Sequence, residues 1–230
     1  MASSHLKLAL TYDVQQLHQE LKHCLNKQWP LHFNNFDFEG DWRSISLRSA
    51  SGNADDIFAH SRDGFYVDTP LMAEVDYIRS IVDSWKCEKE SVRLLALSPG
   101  SIIKPHKDRG CSYREGNFRI HIPILTNKSV HFTVDGNELF LDEGTCWYMD
   151  FGKTHHIENR GETNRVHLIM DCIRNEWTDV LFRENAYDFE ATPIEKEQAR
   201  ATRALMIAEL EKMDTDAARA LIAQMKSEEV

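Results

Sequence analysis

The stretch NFRIHIPILTNKSVHFTVDGNELFL, residues 117–141, decides the fold class. Side chains alternate along an extended chain, so Arg119, His121 and Pro123 share one side of it. Ile120, Ile122 and Ile124 share the other. Two short runs of branched and aromatic residues follow, VHFTV (130–134) and ELFL (138–141). Between them, Asp135-Gly136-Asn137 is a hairpin signal. The same pattern extends outward in SVRLLAL (91–97), CWYMDF (146–151), HHIEN (155–159) and RVHLIMD (165–171). Strands this short and this frequent predict a sandwich or small barrel between about residues 91 and 173.

The flanks read differently. In VQQLHQELKHCLNKQ (14–28, with Asp13 ahead of it), Leu17, Leu21 and Cys24 form one stripe, which predicts an amphipathic helix. WRSISLR (42–48) alternates like a half-buried strand. Pro70 opens a second helical pattern carried by Leu71, Val75, Ile78, Ile81 and Val82. Residues 174–230 turn helical. Thr192-Pro193 reads as a cap and first helical position, and Asp214-Thr215-Asp216 as a break. Leu205, Ala208 and Met213 precede the break on one helix side; Ala218, Leu221, Ile222 and Met225 follow it at helical spacing. This hairpin suits packing on the barrel, a homodimer contact, or a cover over a site. The expected domains are therefore 1–173, a β-domain with N-terminal helices, and 174–230, a helical extension.

The chain has 230 residues, 42% hydrophobic and 28% charged, which is ordinary globular composition. Its net charge of −10 disfavours a generic nucleic-acid or anionic-membrane surface, because both partners need a positive field. Cys24, Cys87, Cys111, Cys146 and Cys172 are scattered, with no C-x-x-C pair. That fits a reducing compartment rather than a disulfide framework or a cysteine zinc site. The start lacks a signal peptide's apolar stretch, and no run nears the roughly 18 apolar residues of a membrane span. A cytoplasmic location is the expectation.

Chemistry concentrates in the strand-rich stretch. Pro105-His106-Lys107-Asp108 follows SVRLLAL, and residues two apart on a strand project together. An imidazole and a carboxylate on one face make up two-thirds of a 2-His-1-carboxylate iron site. Elsewhere the polar positions hold Arg and His: Arg119 and His121, then His155 with Asn159, then Arg165, His167 and Asp171. These side chains bind anions and metals. A half-exposed sheet gives similar alternation but is usually filled with Lys, Glu and Thr. Trp147, Tyr148 and Phe151 are candidates for a pocket wall or for core, and the loop 109–117 for a cover or a plain connection. His131 has no partner motif and reads as structural.

Taken in order, four pieces run from Pro99 to Asp171: Pro105-His106-x-Asp108, Arg119-x-His121-x-Pro123, His155-x-Ile157-x-Asn159 and Arg165-x-His167-Leu168-Ile169-x-Asp171. The set resembles the aspartyl/asparaginyl β-hydroxylase family of Fe(II)- and 2-oxoglutarate-dependent oxygenases, which includes bacterial hydroxylases of free amino acids. The resemblance implies a mainly β protein, with a double-stranded β-helix (jelly-roll, cupin-like) barrel and a C-terminal helical hairpin. It implies that His106, Asp108 and His155 hold Fe(II). His155 rather than His156 fits, because it stands ten residues before Arg165. It implies that Arg165 pairs with the far carboxylate of 2-oxoglutarate, with His121 and Arg119 also at the cosubstrate. The implied reaction uses O2 to hydroxylate a C–H bond of an amino acid, free or carried on a peptide or carrier, releasing succinate and CO2. The alternative is a non-catalytic cupin-like sensor of a metal or ligand. An arginine ten residues beyond the distal histidine argues against that, as it serves a carboxylate cosubstrate. No nucleic-acid or membrane partner is expected.

Overall fold

The computed structural model describes residues 4–34, 36–59, 65–189, 193–213 and 215–227. The N-terminal part holds β1 (His5–Thr11), α1 (Val14–Cys24), β2 (Phe38–Glu39), β3 (Trp42–Ser49), β4 (Val67–Asp68) and α2 (Asp76–Ser84). The strand-rich stretch follows as β5 (Lys89–Leu97), β6 (Ile102–His106), β7 (Asn117–Leu125) and β8 (Val130–Val134). It continues as β9 (Asn137–Leu139), β10 (Thr145–Met149), β11 (His155–Asn159) and β12 (Arg165–Ile173). Helices α3 (Glu176–Glu184), α4 (Pro193–Glu211) and α5 (Asp216–Ser227) complete the order.

The strands make two antiparallel sheets. The larger has the order β1-β10-β7-β12-β5-β3-β4 and the smaller β2-β6-β11-β8-β9. From β5 to β12 the chain passes repeatedly from one sheet to the other, which is the jelly-roll winding. Each sheet must bury one face, and the two faces meet. Leu95, Leu97 and Ile169 of the larger sheet and Ile103, Phe132, Val134 and Ile157 of the smaller belong to one apolar cluster.

On β7 and β12 the other row of aliphatics (Ile120, Ile122, Ile124, Val166, Leu168 and Met170) is fully buried as well. Helix α1 packs on β7. Both faces of these strands are therefore covered, and the Arg/His row lies inside the barrel. Pro123 has no N–H to give a ladder. It sits where the β7–β12 register slips, between the pairs Val166–Leu125 and His167–Pro123.

Local signals explain the elements. The carboxylate of Asp13 accepts from the N–H groups of Gln15 and Gln16 and caps α1, whose buried side is Leu17, Leu21 and Cys24. Asp135 and Gly136 have φ of 50° and 78°, the left-handed pair that a tight hairpin turn needs, and Val134 pairs with Asn137 across it. The helix expected from Pro70 is broken. A short 3-10 turn spans Pro70–Glu74, and Val75 leaves the helical region, at φ −133° and ψ 75°, before α2 begins. Glu20 of α1 supplies the reason. Its two carboxylate oxygens accept from the N–H groups of Tyr77 and Ile78, at 2.6 and 2.8 Å, and so define a new helix start.

Two compact units divide the chain: Ser3–Tyr187, and a second from Asp188 onward. Helix α3 belongs to the first. There the Tyr113 hydroxyl bonds Thr178 and Asp179, and its ring stacks on Phe182 at 3.8 Å between centroids. In the second unit, α4 and α5 pack together. Ala218 is buried, but Leu205, Met206, Met213 and Leu221 remain exposed. Thr192, the expected cap, lies outside the described residues. The hydroxyl of Thr215 accepts from the Ala218 N–H at the start of α5. No described helix is long and apolar enough to cross a membrane.

Candidate functional site

A cavity of about 280 Å³ opens between the two sheets. The smaller sheet brings two imidazoles to it. His155 on β11 pairs directly with His106 on β6, and their ring centroids are 4.2 Å apart. Each ring is aimed by its own chain two residues back. The Nδ1 of His106 bonds the carbonyl of Lys104 at 2.7 Å, and that of His155 bonds the carbonyl of Lys153 at 3.1 Å. A carbonyl only accepts, so Nδ1 carries the proton in both rings. Both Nε2 lone pairs are left as ligands. Burial, and then the neighbouring His106, pull His155 down to about 4, so it is neutral near pH 7.

Asp108 supplies the third group. It lies beyond the end of β6, held where its amide N–H bonds the carbonyl of Phe151. One carboxylate oxygen stands 3.5 Å from His106 Nε2, and the other accepts from Arg119 Nη1 at 2.7 Å. Burial opposes ionisation here, but Arg119 and the two histidines outweigh it and hold the carboxyl below its ordinary range. The ligand atoms of His106, Asp108 and His155 all lie within 4.8 Å of one another. Two imidazoles and one carboxylate suit a divalent transition metal such as Fe(II). The donor set therefore fits.

The larger sheet faces this triad with arginines. Arg119 on β7 is paired across the ladder with Asp171 on β12, and its Nε donates to that carboxylate at 2.6 Å. Asp171 also accepts from Arg93 of β5 at 2.7 Å and from the Ser91 hydroxyl at 2.5 Å. Asp171 is 3% exposed, yet the two arginines overcome its desolvation and hold it down at about 2.

Arg165 differs. It is 2% exposed and has no carboxylate partner among the described residues. Its Nη2 donates to His167 Nδ1 at 2.9 Å, and its Nε is buried without a partner. Burial alone pulls it down to about 9, so it stays a cation at pH 7. His121, also buried, has an unpartnered Nε2. These orphaned groups line the cavity opposite the triad. An uncompensated buried cation costs free energy until an anion meets it, so the cavity is built for one.

The six residues that the resemblance assigned to the metal and the cosubstrate all line this cavity: His106, Asp108, His155, Arg119, His121 and Arg165. Phe151 lines it too, as does Arg109 from the following loop, whereas Trp147 and Tyr148 do not. His131 lies elsewhere, bonded to Glu138. Asn159 ties the end of β11, donating to the carbonyls of Leu97 and Thr163. Sequence reading missed Arg93, and also His32, stacked on Trp42 at 3.5 Å. Arg93 sits in an aliphatic run whose charge had no visible partner. His32 belongs to no alternating run.

Comparison with known proteins agrees with this geometry. The chain is 24% identical over 136 residues to L-proline cis-3-hydroxylase 1 of a Streptomyces species. That match covers 57% of this chain and 47% of the relative, so the chain spans about half of that protein's length. Two solved structures share the fold. One is an oxidoreductase of the 2OG-Fe(II) oxygenase family from Burkholderia pseudomallei, with a TM-score of 0.52 and 12% identity over 75% of this chain and 86% of that one. The other is a non-heme alpha-ketoglutarate-dependent epimerase from nogalamycin biosynthesis, with a TM-score of 0.51 and 7% identity over 75% and 79%. Residues 11–175 match the family described as aspartyl/asparaginyl beta-hydroxylase, which takes in the triad, the arginines and the barrel that carries them. The chain belongs to the aspartyl/asparaginyl β-hydroxylase family.

Proposed function

We propose that the protein is an Fe(II)- and 2-oxoglutarate-dependent dioxygenase that hydroxylates an unactivated C–H bond of an amino acid, free or carried on a peptide or carrier. One observation carries the reading: Arg165, a buried cation without an anion, faces a preorganised two-histidine, one-carboxylate triad across one cavity. His106, Asp108 and His155 would hold the metal. With 2-oxoglutarate and O2 it would supply the oxidising chemistry that inserts one oxygen atom into the C–H bond and releases succinate and CO2.

The chain's own groups do the rest. The Arg165 guanidinium offers parallel donors to the far carboxylate of 2-oxoglutarate, a match that lysine cannot make. His121 and Arg119 stand beside it. Arg119 also holds the second oxygen of Asp108, so that the first is left for the metal. Phe151, Leu95, Ile103, Ile157 and Ile169 line the cavity with apolar surface and exclude water from the reacting centre.

The arginines nearest the triad are already paired with Asp108 and Asp171. Lys107 and Arg109, exposed at the cavity, make no ion pair among the described residues. They are the cations left for a substrate carboxylate. Phe33 and Trp42 supply an apolar wall beside them. An amino-acid substrate accords with this lining and with the hydroxylase to which the chain is similar.

The test is 2-oxoglutarate conversion to succinate by the Fe(II)-loaded protein across a panel of amino acids, with Arg165→Ala as the control. Turnover stimulated by one amino acid and lost in the control is expected. No succinate with any amino acid, together with no 2-oxoglutarate binding, would overturn the reading in favour of a metal- or ligand-sensing barrel.

A further inference from the structure

Arg165 is a long, flexible side chain, yet it lies wholly inside the barrel. Among the described residues its guanidinium has one side-chain hydrogen-bond partner, His167, and its ring contact is with Phe132, 5.5 Å from the centroid. His167 is 1% exposed, sits two residues along the same strand, and is absent from the cavity lining.

The protons can be assigned by elimination. A guanidinium only donates, so His167 Nδ1 must be the acceptor, and the proton of the neutral ring is on Nε2. The same Nδ1 lies 3.3 Å from His121 Nδ1. Two facing lone pairs would repel, so His121 carries its proton on Nδ1 and also donates to His167. Burial, with Arg165 beside it, keeps His167 neutral and so keeps this lone pair available. That nitrogen's one in-plane lone pair points to Arg165 at 2.9 Å, and the His121 contact at 3.3 Å is the longer and weaker of the two.

We infer that His167 is a positioning residue: through Nδ1 it holds Arg165 aimed at the place of the cosubstrate's far carboxylate, without touching that cosubstrate itself. The inference rests on the reading that Arg165 binds 2-oxoglutarate. It adds a residue whose loss weakens recognition of one end of the cosubstrate only. An unanchored Arg165 must be ordered at each binding event, and preorganisation is then lost.

The experiment measures binding, not turnover. The Fe(II)-loaded protein is titrated without oxygen, once with 2-oxoglutarate and once with 2-oxobutyrate, which keeps the keto acid but lacks the far carboxylate. The visible charge-transfer band reports occupancy. His167→Leu should raise the Kd for 2-oxoglutarate about 10- to 100-fold, the value of a hydrogen bond to a charged group. It should leave the Kd for 2-oxobutyrate within about twofold. His167→Asn places an amide oxygen near the ring's Nδ1 position and should restore most of the affinity. His167→Gln reaches too far and should not.

If His167→Leu fails to fold, the Asn and Gln variants, both polar, still decide the matter. Equal weakening of both keto acids, or Asn no better than Gln, would overturn the inference while leaving the cosubstrate reading intact. A wild-type protein that binds neither keto acid would overturn both.

Discussion

Replacing Asp171 with Asn should cost the protein about 3–5 kcal/mol, because it removes one partner of a buried ionic network. The carboxylate accepts from Arg93, Arg119 and Ser91, and it is 3% exposed. An amide can keep part of that hydrogen bonding but none of the charge, so two buried guanidinium groups would share one remaining carboxylate, Asp108. A second route to the magnitude uses linkage. Holding the Asp171 pKa at about 2 instead of the ordinary 3.8 is worth about 2.4 kcal/mol at neutral pH. That figure covers only the charge of Asp171, and the stranded arginines raise the total toward the upper range.

The sign with pH follows. The folded pKa is depressed, so this stability is present above about pH 4 and is lost as pH falls from 3.8 toward 2. Roughly half of it is gone at pH 3. Urea unfolding followed by tryptophan fluorescence, run at pH 7 and pH 3 on both proteins, reads the gap. The gap should narrow by about 1 kcal/mol at the lower pH. A loss below about 1 kcal/mol at pH 7, or a gap that does not narrow on acidification, would refute the reasoning.

Three further outcomes are expected. His155→Ala should abolish stoichiometric Fe(II) binding, measured by anaerobic equilibrium dialysis, whereas His156→Ala should keep it, because only His155 joins His106 and Asp108. Arg119→Lys should weaken Fe(II) about 10- to 100-fold in the same assay, as is typical when the partner of a metal ligand is lost. One ammonium cannot span Asp108 and Asp171 as the guanidinium does. Phe182→Ala should lower stability by about 3–5 kcal/mol in urea unfolding, because the ring is fully buried against Tyr113, Phe118, Tyr148 and Tyr187.

Much of the barrel was legible because strand side chains alternate and turns demand special residues. The Asp135-Gly136 hairpin, the α1 stripe and the strands that carry His155 and Arg165 all follow from local pattern. The pattern did not say which side of β7 and β12 faces inward. Aliphatics usually mark the interior, but here both faces are covered, and the polar row lines a cavity made for a charged ligand.

Two other features depend on contacts between distant segments. The break at Val75 is imposed by Glu20, from a different helix. Arg93 and Asp171 are 78 residues apart in sequence, so neither reveals the other. His106 and Asp108 do meet, though not as neighbours on one strand. β6 ends at His106, and a backbone bond to Phe151 brings Asp108 back beside it.

The three metal-binding groups are held by unequal lengths of scaffold. Each imidazole hangs from a carbonyl two residues back in its own chain, so its aim is a local property and tolerates distortion elsewhere in the barrel. Asp108 instead ends a chain that runs through Arg119 and Asp171 to Arg93, across three neighbouring strands. Any sliding of those strands would move the carboxylate and leave the imidazoles where they are. The site therefore has two stiff legs and one long one, and mechanical disturbance of the larger sheet is transmitted to the metal through its carboxylate.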